Sequence, residues 1–183
     1  MIYTVECSFA DPACEAEWND FYSLEKLPAL IAVSGFHTSQ RFKAISDGCP
    51  TYLALHTVHG IDVLHGEEYR RKGGGNFAKW QPHITDWHRN LYGGIGPAPA
   101  VQVDECLALD ARGPEHLHAV GLEPLAMRAV ALEKSPALRW LAVLPRTMAQ
   151  SLQRAGRIAN GVCLYAPMTK QLTHADALAR RQR

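Results

Sequence analysis

A glycine- and proline-rich run, Leu91-Tyr92-Gly93-Gly94-Ile95-Gly96-Pro97-Ala98-Pro99-Ala100, falls almost at the midpoint of this 183-residue chain. Such a run reads as a linker. It leaves about 80–90 residues on either side, the size of one small α/β unit. With 47% hydrophobic and 20% charged residues, the chain has enough apolar surface for a buried core and is not a disordered polymer. The predicted domains are therefore residues 1–92 and 101–172, joined by 93–100 and followed by a tail, 173–183.

The first half parses clearly. Residues 2–9 alternate and form a strand. Asp11 and Pro12 suit the N-cap and first position of a helix whose apolar stripe is Trp18, Phe21, Tyr22, Leu24 and Leu27. Pro28 kinks or ends that helix, and Gly35 closes the next turn. Residues 36–44 and 51–58 are strands around the turn Ser46-Asp47-Gly48-Cys49-Pro50. A helix over 61–72 breaks at Gly73-Gly74-Gly75, and 84–91 is a strand. The order is β-α-β-β-α-β, the ferredoxin-like split βαβ.

The second half repeats that order with strands at 101–109, 126–133, 138–144 and 161–166. Its helices fall at 114–121 and 147–157. One long helix over 114–134 is the competing parse, but Gly121 and Pro124 would cost it roughly 1 and 3 kcal/mol.

Strand pleating sorts side chains between two sheet faces. Tyr3, Val5, Cys7 and Phe9 read as the apolar, helix-facing set, with Leu53 and Leu55. The opposite face then collects Glu6, His37, Arg41, Tyr52 and His56. That face is either ordinary wet surface or the lining of a barrel in which two sheets pack polar face to polar face. In the barrel, Arg41 and Tyr52 hold an anionic substrate, His37 and His56 move protons near neutral pH, and Glu6 orients a histidine or acts as base. The segment Trp80-Gln81-Pro82-His83-Ile84-Thr85-Asp86-Trp87-His88-Arg89 adds a second cluster. There Trp80 and Trp87 wall a planar pocket, with His83 as a further contact and His88 as acid or base. Trp87 and Arg89 share one strand face. Arg70-Arg71-Lys72-Gly73-Gly74-Gly75-Asn76 lacks Walker A spacing and reads as a helix-exit loop.

The five cysteines are odd in number and widely spaced, with no C-x-x-C pair, so neither a disulfide framework nor a zinc ribbon is expected. The nine histidines include no H-E-x-x-H, and His56-x-x-His59 points to opposite strand faces. A metal is left only the option of ligands gathered from distant positions, and no metal or organic cofactor is expected. A net charge of +1, from 19 Lys and Arg against 18 Asp and Glu, argues against nucleic acid as partner. No apolar run reaches the ~18 residues of a membrane span, and the first residues lack a signal-peptide pattern, so a cytoplasmic protein is expected.

The stretch Trp18-Asn19-Asp20-Phe21-Tyr22-Ser23-Leu24-Glu25-Lys26-Leu27-Pro28-Ala29-Leu30, followed by Val33-Ser34-Gly35-Phe36, resembles the dimeric α/β-barrel superfamily, most closely its EthD-like and muconolactone-isomerase-like branches. Arg41-Phe42 and Tyr52-Leu53-Ala54-Leu55 continue the likeness, which covers about the first 60 residues. This chain carries Lys26 where such relatives often have His, and Ser34 where Pro is usual before Gly35. Lys26 is able to bind an anion.

The resemblance implies a homodimer acting on small aromatic, polyketide or ring-cleavage-derived substrates. It spans lactone isomerisation, cyclisation, cofactor-free oxygenation and haem chemistry, among which fold does not choose. The expected architecture is α+β: two tandem ferredoxin-like halves whose antiparallel sheets pack as a dimeric α/β barrel. The expected function is cofactor-independent proton transfer of isomerase, lyase or hydrolase type on an aromatic or carboxylate-bearing catabolite. The alternatives are a non-catalytic ligand-binding or stress-response barrel and a metal- or haem-dependent oxygenase.

Overall fold

The computed structural model describes residues 1–73, 77 and 79–176. Most of the glycine loop after Gly73 and the tail beyond Asp176 lie outside the described residues. The strands are β1 Ile2–Phe9, β2 Phe36–Ala44, β3 Tyr52–Val58, β4 Ile84–Gly93, β5 Glu105–Asp110, β6 Leu125–Leu132, β7 Leu138–Pro145, β8 Val162–Pro167 and β9 Leu172–Thr173. They form one sheet in the order β3-β1-β4-β6-β7-β5-β8-β2, closed by pairing of β2 with β3, and β9 adds to β2. Every described pairing is antiparallel. The barrel thus closes within a single chain. Each half contributes four strands, in the orders β4-β1-β3-β2 and β8-β5-β7-β6.

The barrel is filled by side chains. Ile2, Phe42, Leu53, Leu55, Tyr92, Leu107, Leu109, Met127, Leu141 and Tyr165 meet inside it. Eight strands leave an interior just wide enough for such a core. Inside it Glu6 accepts a 2.8 Å hydrogen bond from Arg139 Nη1, across the two halves.

This corrects the sequence expectation for β2 and β3, whose faces are inverted. Phe42, Leu53 and Leu55 point into the barrel, whereas Arg41, Tyr52 and His56 lie on the outer layer beneath helices. Register explains it: Tyr3 pairs with His56 and Cys7 with Tyr52, so these residues share one face. Because β3 is buried along its whole length, polarity alternation carries no information there.

In the first half the cover is α1 (Glu15–Phe21), a π-turn (Tyr22–Lys26) and α2 (Leu27–Ile31), followed after β3 by α3 (Ile61–His65) and α4 (Glu67–Lys72). Helix α1 starts later than expected: Cys14 is its N-cap, and Asp11 makes a turn by accepting the Ala13 N–H at 3.0 Å. Pro28 does not end the helix. The Leu27 N–H reaches back five residues to the Tyr22 carbonyl, which widens the turn just before the proline. The expected second helix divides at Gly66.

In the second half α5 (Glu115–His118) and α6 (Arg146–Arg154) cover the sheet, and β6 and β7 form the expected hairpin. Strand β5 begins four residues later than expected.

Cys49 and Cys163 form a disulfide across 114 residues. It ties the β2–β3 turn to β8. Spacing rules look for local frameworks and could not show a single long-range pair.

Candidate functional site

A cavity of about 210 Å³ opens between the π-turn helix and the outer face of β1 and β4. The π-turn supplies Tyr22 and Lys26, α2 supplies Leu30, β1 supplies Tyr3 and Val5, β4 supplies Trp87 and Arg89, and α4 supplies Tyr69. Gly73, Phe77 and Gln81 complete the described wall. Gly73 allows close approach: a Cβ there would stand 2.5 Å from Leu30 Cδ2, so that side chain would have to shift. Lys26 and Tyr22 sit four residues apart on the widened turn and so share the sheet-facing side. π-Turns of this kind are frequent at functional sites.

Lys26 dominates the chemistry. It is only 4% exposed, and its Nζ has no hydrogen-bond partner within the described residues. Its ammonium lies 4.4 Å from the centre of the Phe77 ring. Burial lowers its pKa to about 8, where amine and ammonium are both populated near neutral pH. Arg89, whose Nε is likewise buried and unpartnered, brings a second cation. Burial works against its charge, but the hydroxyls of Tyr3 and Tyr69 more than offset this and hold its pKa up. Those hydroxyls are 3.0 Å apart. The site is an aromatic-walled slot with two cations and three phenols, suited to a planar ligand that carries or develops an anionic oxygen.

The helix that carries Lys26 is anchored by Arg41. This guanidinium is buried against Trp18, Tyr22 and Tyr52 at 4.5, 4.3 and 4.8 Å from their ring centres. It donates to the Asn19 carbonyl and Ser23 Oγ, both at 3.2 Å. Tyr52 donates to Glu15 and accepts from Asn19 Nδ2 at 2.8 Å. Arg41 and Tyr52 therefore brace α1 and the π-turn and do not line the cavity.

The other sequence-predicted residues are dispersed. His56 is fully buried, its Nδ1 is 2.8 Å from Ser39 Oγ, and its ring stacks on Tyr3. Burial lowers its pKa to about 3, so it is neutral at physiological pH. His37 is exposed. His88 lies on the surface, with its Nδ1 2.9 Å from Glu133 Oε2. His83 stands 3.7 Å from Asp11. Glu6 is inside the barrel. Trp80 packs against Phe9 and Phe21, on the far side of Phe77 from the slot. Trp87 lines the cavity, edge-on to Phe77.

Sequence reasoning passed over Tyr3, Tyr22, Tyr69, Phe77 and Arg89 as site residues and gave Lys26 as a departure from the relatives that could bind an anion. A signal was present. A lysine four residues after an aromatic, inside a stripe that continues with Leu27 and Leu30, must be buried if the stripe is. Arg89 shares a strand face with Trp87.

The sequence matches no protein-family model and no curated protein. Solved structures do resemble it. An anthrone oxidase-like protein aligns with a TM-score of 0.55 at 8% identity, covering 96% of this chain and 93% of that one. A candidate monooxygenase from Lactobacillus acidophilus NCFM aligns with a TM-score of 0.51 at 9% identity, covering 94% and 96%. The chain shares their fold. It is a closed, eight-stranded antiparallel α+β barrel. Among the described residues no helix is long and apolar enough to cross a membrane.

Proposed function

We propose that this protein is a small-molecule enzyme that removes a proton from a planar aromatic-derived compound and stabilises the resulting oxyanion. The observation that carries this reading is Lys26, buried with no hydrogen-bond partner among the described residues in an aromatic-walled cavity beside Arg89. As the amine, Lys26 Nζ takes a proton from an acidic C–H or O–H of the substrate. The new ammonium and the Arg89 guanidinium then face the anion. A positioned base of this kind contributes about 10²–10⁴-fold. A cavity of about 150 Å³ holds benzene, so about 210 Å³ takes one substituted ring. Trp87, named from the sequence as a substrate contact, forms part of the wall.

Isomerase, lyase and lactone chemistry on a ring-cleavage product all begin with this step. So does oxygenation of a stabilised carbanion, the second reading, which is favoured by the names of the two structural relatives. Oxygen uptake during turnover separates the two. In the same proposal the barrel consists of two tandem ferredoxin-like halves, supported by their equivalent strand orders, with residues 1–92 and 101–172 as the units. The EthD-like affiliation and a homodimeric assembly complete it.

p-Nitrophenol tests the site because its ionisation is visible. Bound to the wild type, it should absorb as phenolate at a pH where the free probe is protonated, and Lys26→Met should lose that shift. Unchanged probe ionisation, or an equal shift in Lys26→Met, contradicts the reading.

A further inference from the structure

We propose that Asp11, Cys14 and His83 form a binding site for a borderline-soft divalent transition-metal ion of the zinc type. The carboxylate, thiol and imidazole donor atoms all lie within 4.8 Å of one another. The site is separate from the Lys26 cavity and independent of the function proposed for it. None of the three residues lines that cavity.

Two of the three donor–donor distances are close to the edges of a tetrahedral site, and the third is within 4.8 Å. Metal–ligand distances of about 2.0–2.3 Å place the corners of a tetrahedral zinc site roughly 3.3–3.6 Å apart. Cys14 Sγ is 3.3 Å from Asp11 Oδ2, and His83 Nδ1 is 3.7 Å from the same oxygen. The backbone already holds these positions. Asp11 and Cys14 are fixed by a turn in which the Cys14 N–H donates to the Asp11 carbonyl at 3.3 Å. The other carboxylate oxygen, Oδ1, accepts the Ala13 N–H, which orients Oδ2 towards the thiol and imidazole. His83 belongs to the 3₁₀ turn that precedes β4. Its carbonyl accepts the Ala10 N–H at 2.8 Å, stitching the two segments together, and its ring packs on Phe9.

The donor set selects the metal. Thiolate and imidazole favour zinc-like ions over magnesium or calcium, which take oxygen ligands. Three protein ligands leave a fourth position, and the His83 and Asp11 side chains are about one-third exposed, so that position faces solvent. Binding replaces the thiol proton: the S–H bond breaks, the metal–sulfur bond forms and one proton goes to buffer. The ion would clamp the β1–α1 connection to the start of β4.

The test uses full-length protein freed of metal by a chelator. Co²⁺ should bind one per chain with a thiolate-to-metal charge-transfer band and release of about one proton, and Zn²⁺ should displace it with no further proton release. Zn²⁺ at a hundredfold over its Kd should raise Tm by about 5–10 °C. Cys14→Ser, shown to be folded by circular dichroism, should lose the band, and Asp11→Asn or His83→Ala should weaken binding at least tenfold. Three results would overturn the proposal. They are absence of the charge-transfer band in the wild type, its persistence in Cys14→Ser (ligation by another cysteine), and equal stabilisation by Mg²⁺.

Discussion

The two halves of the barrel repeat one strand order but cover their sheets differently. In the first half, Trp18, Tyr22, Tyr69, Phe77 and other large rings pack between helices and sheet, and a 210 Å³ cavity survives among them. In the second half the equivalent layer is built from Ala108, Ala142, Ala149 and Leu or Val side chains, and the space left among Leu117, Leu144, Leu152 and Leu164 is only about 10 Å³. Rings are bulky and rigid, so a layer built from them holds the cover away from the sheet. Small aliphatic residues let short helices settle directly onto the strands. One half thus keeps a cavity beneath its helices, and the other packs its helices closely onto the strands. The titratable groups follow the same division: in the first half Lys26 Nζ and Arg89 Nε are buried with no hydrogen-bond partner among the described residues. In the second half the buried carboxylate Asp110 is matched by His116 at 2.8 Å.

The largest expected effect is at Lys26. Lys26→Met should lower kcat by about 10²–10⁴-fold and yet stabilise the protein by about 1–4 kcal/mol, since it replaces a desolvated cation with an apolar chain of similar volume. Steady-state kinetics and urea melts check both arms. A loss of stability would make Lys26 a packing residue and remove the contrast between the halves.

Next come paired core truncations. Leu117→Ala, in the closely packed half, should cost about 2–5 kcal/mol and leave turnover unchanged. Leu30→Ala borders space that already exists, so it should cost less and raise KM. Equal costs would mean that the cavity collapses in solution.

The disulfide joins the halves. Replacing Cys49 and Cys163 together by serine should cost about 2–4 kcal/mol in chemical denaturation while p-nitrophenol binding is retained. A loss of probe binding would show that the second half shapes the cavity.

The smallest expected effect is at His56. Its pKa falls from 6.5 in the unfolded chain to about 3 in the fold. Below pH 6.5 the unfolded chain takes up the proton and the folded one does not, so stability falls as pH drops towards 3. The contribution between pH 6.5 and about pH 4.5 is roughly 2 kcal/mol. His56→Gln should show a correspondingly shallower acid loss. Parallel curves for the two proteins would mean that His56 is accessible to protons and place it back among the candidates for proton transfer.

Local chemistry was legible in the sequence wherever it is punctuated. The turn at Ser46–Pro50, the Gly/Pro run and the breakers Gly121 and Pro124 mark the segments, and their order carried through. Facing was not legible for β2 and β3. In a barrel covered by helices both faces of a strand are buried, and Arg41 satisfies burial by stacking its guanidinium on three rings, so it packs like an apolar residue. The cavity depends on pairings between distant segments, Tyr3 with Tyr69 and Lys26 with Phe77, that no local pattern records. The Cys49–Cys163 bond was hidden for the same reason.

The most direct measurement is the pKa of Lys26, read by NMR on protein carrying ¹³C at the lysine ε-position, with and without an anionic aromatic such as benzoate. The account predicts a value near 8 in the free protein, rising when the anion binds beside the ammonium. A titration near 10.5 that does not respond to the anion would contradict it.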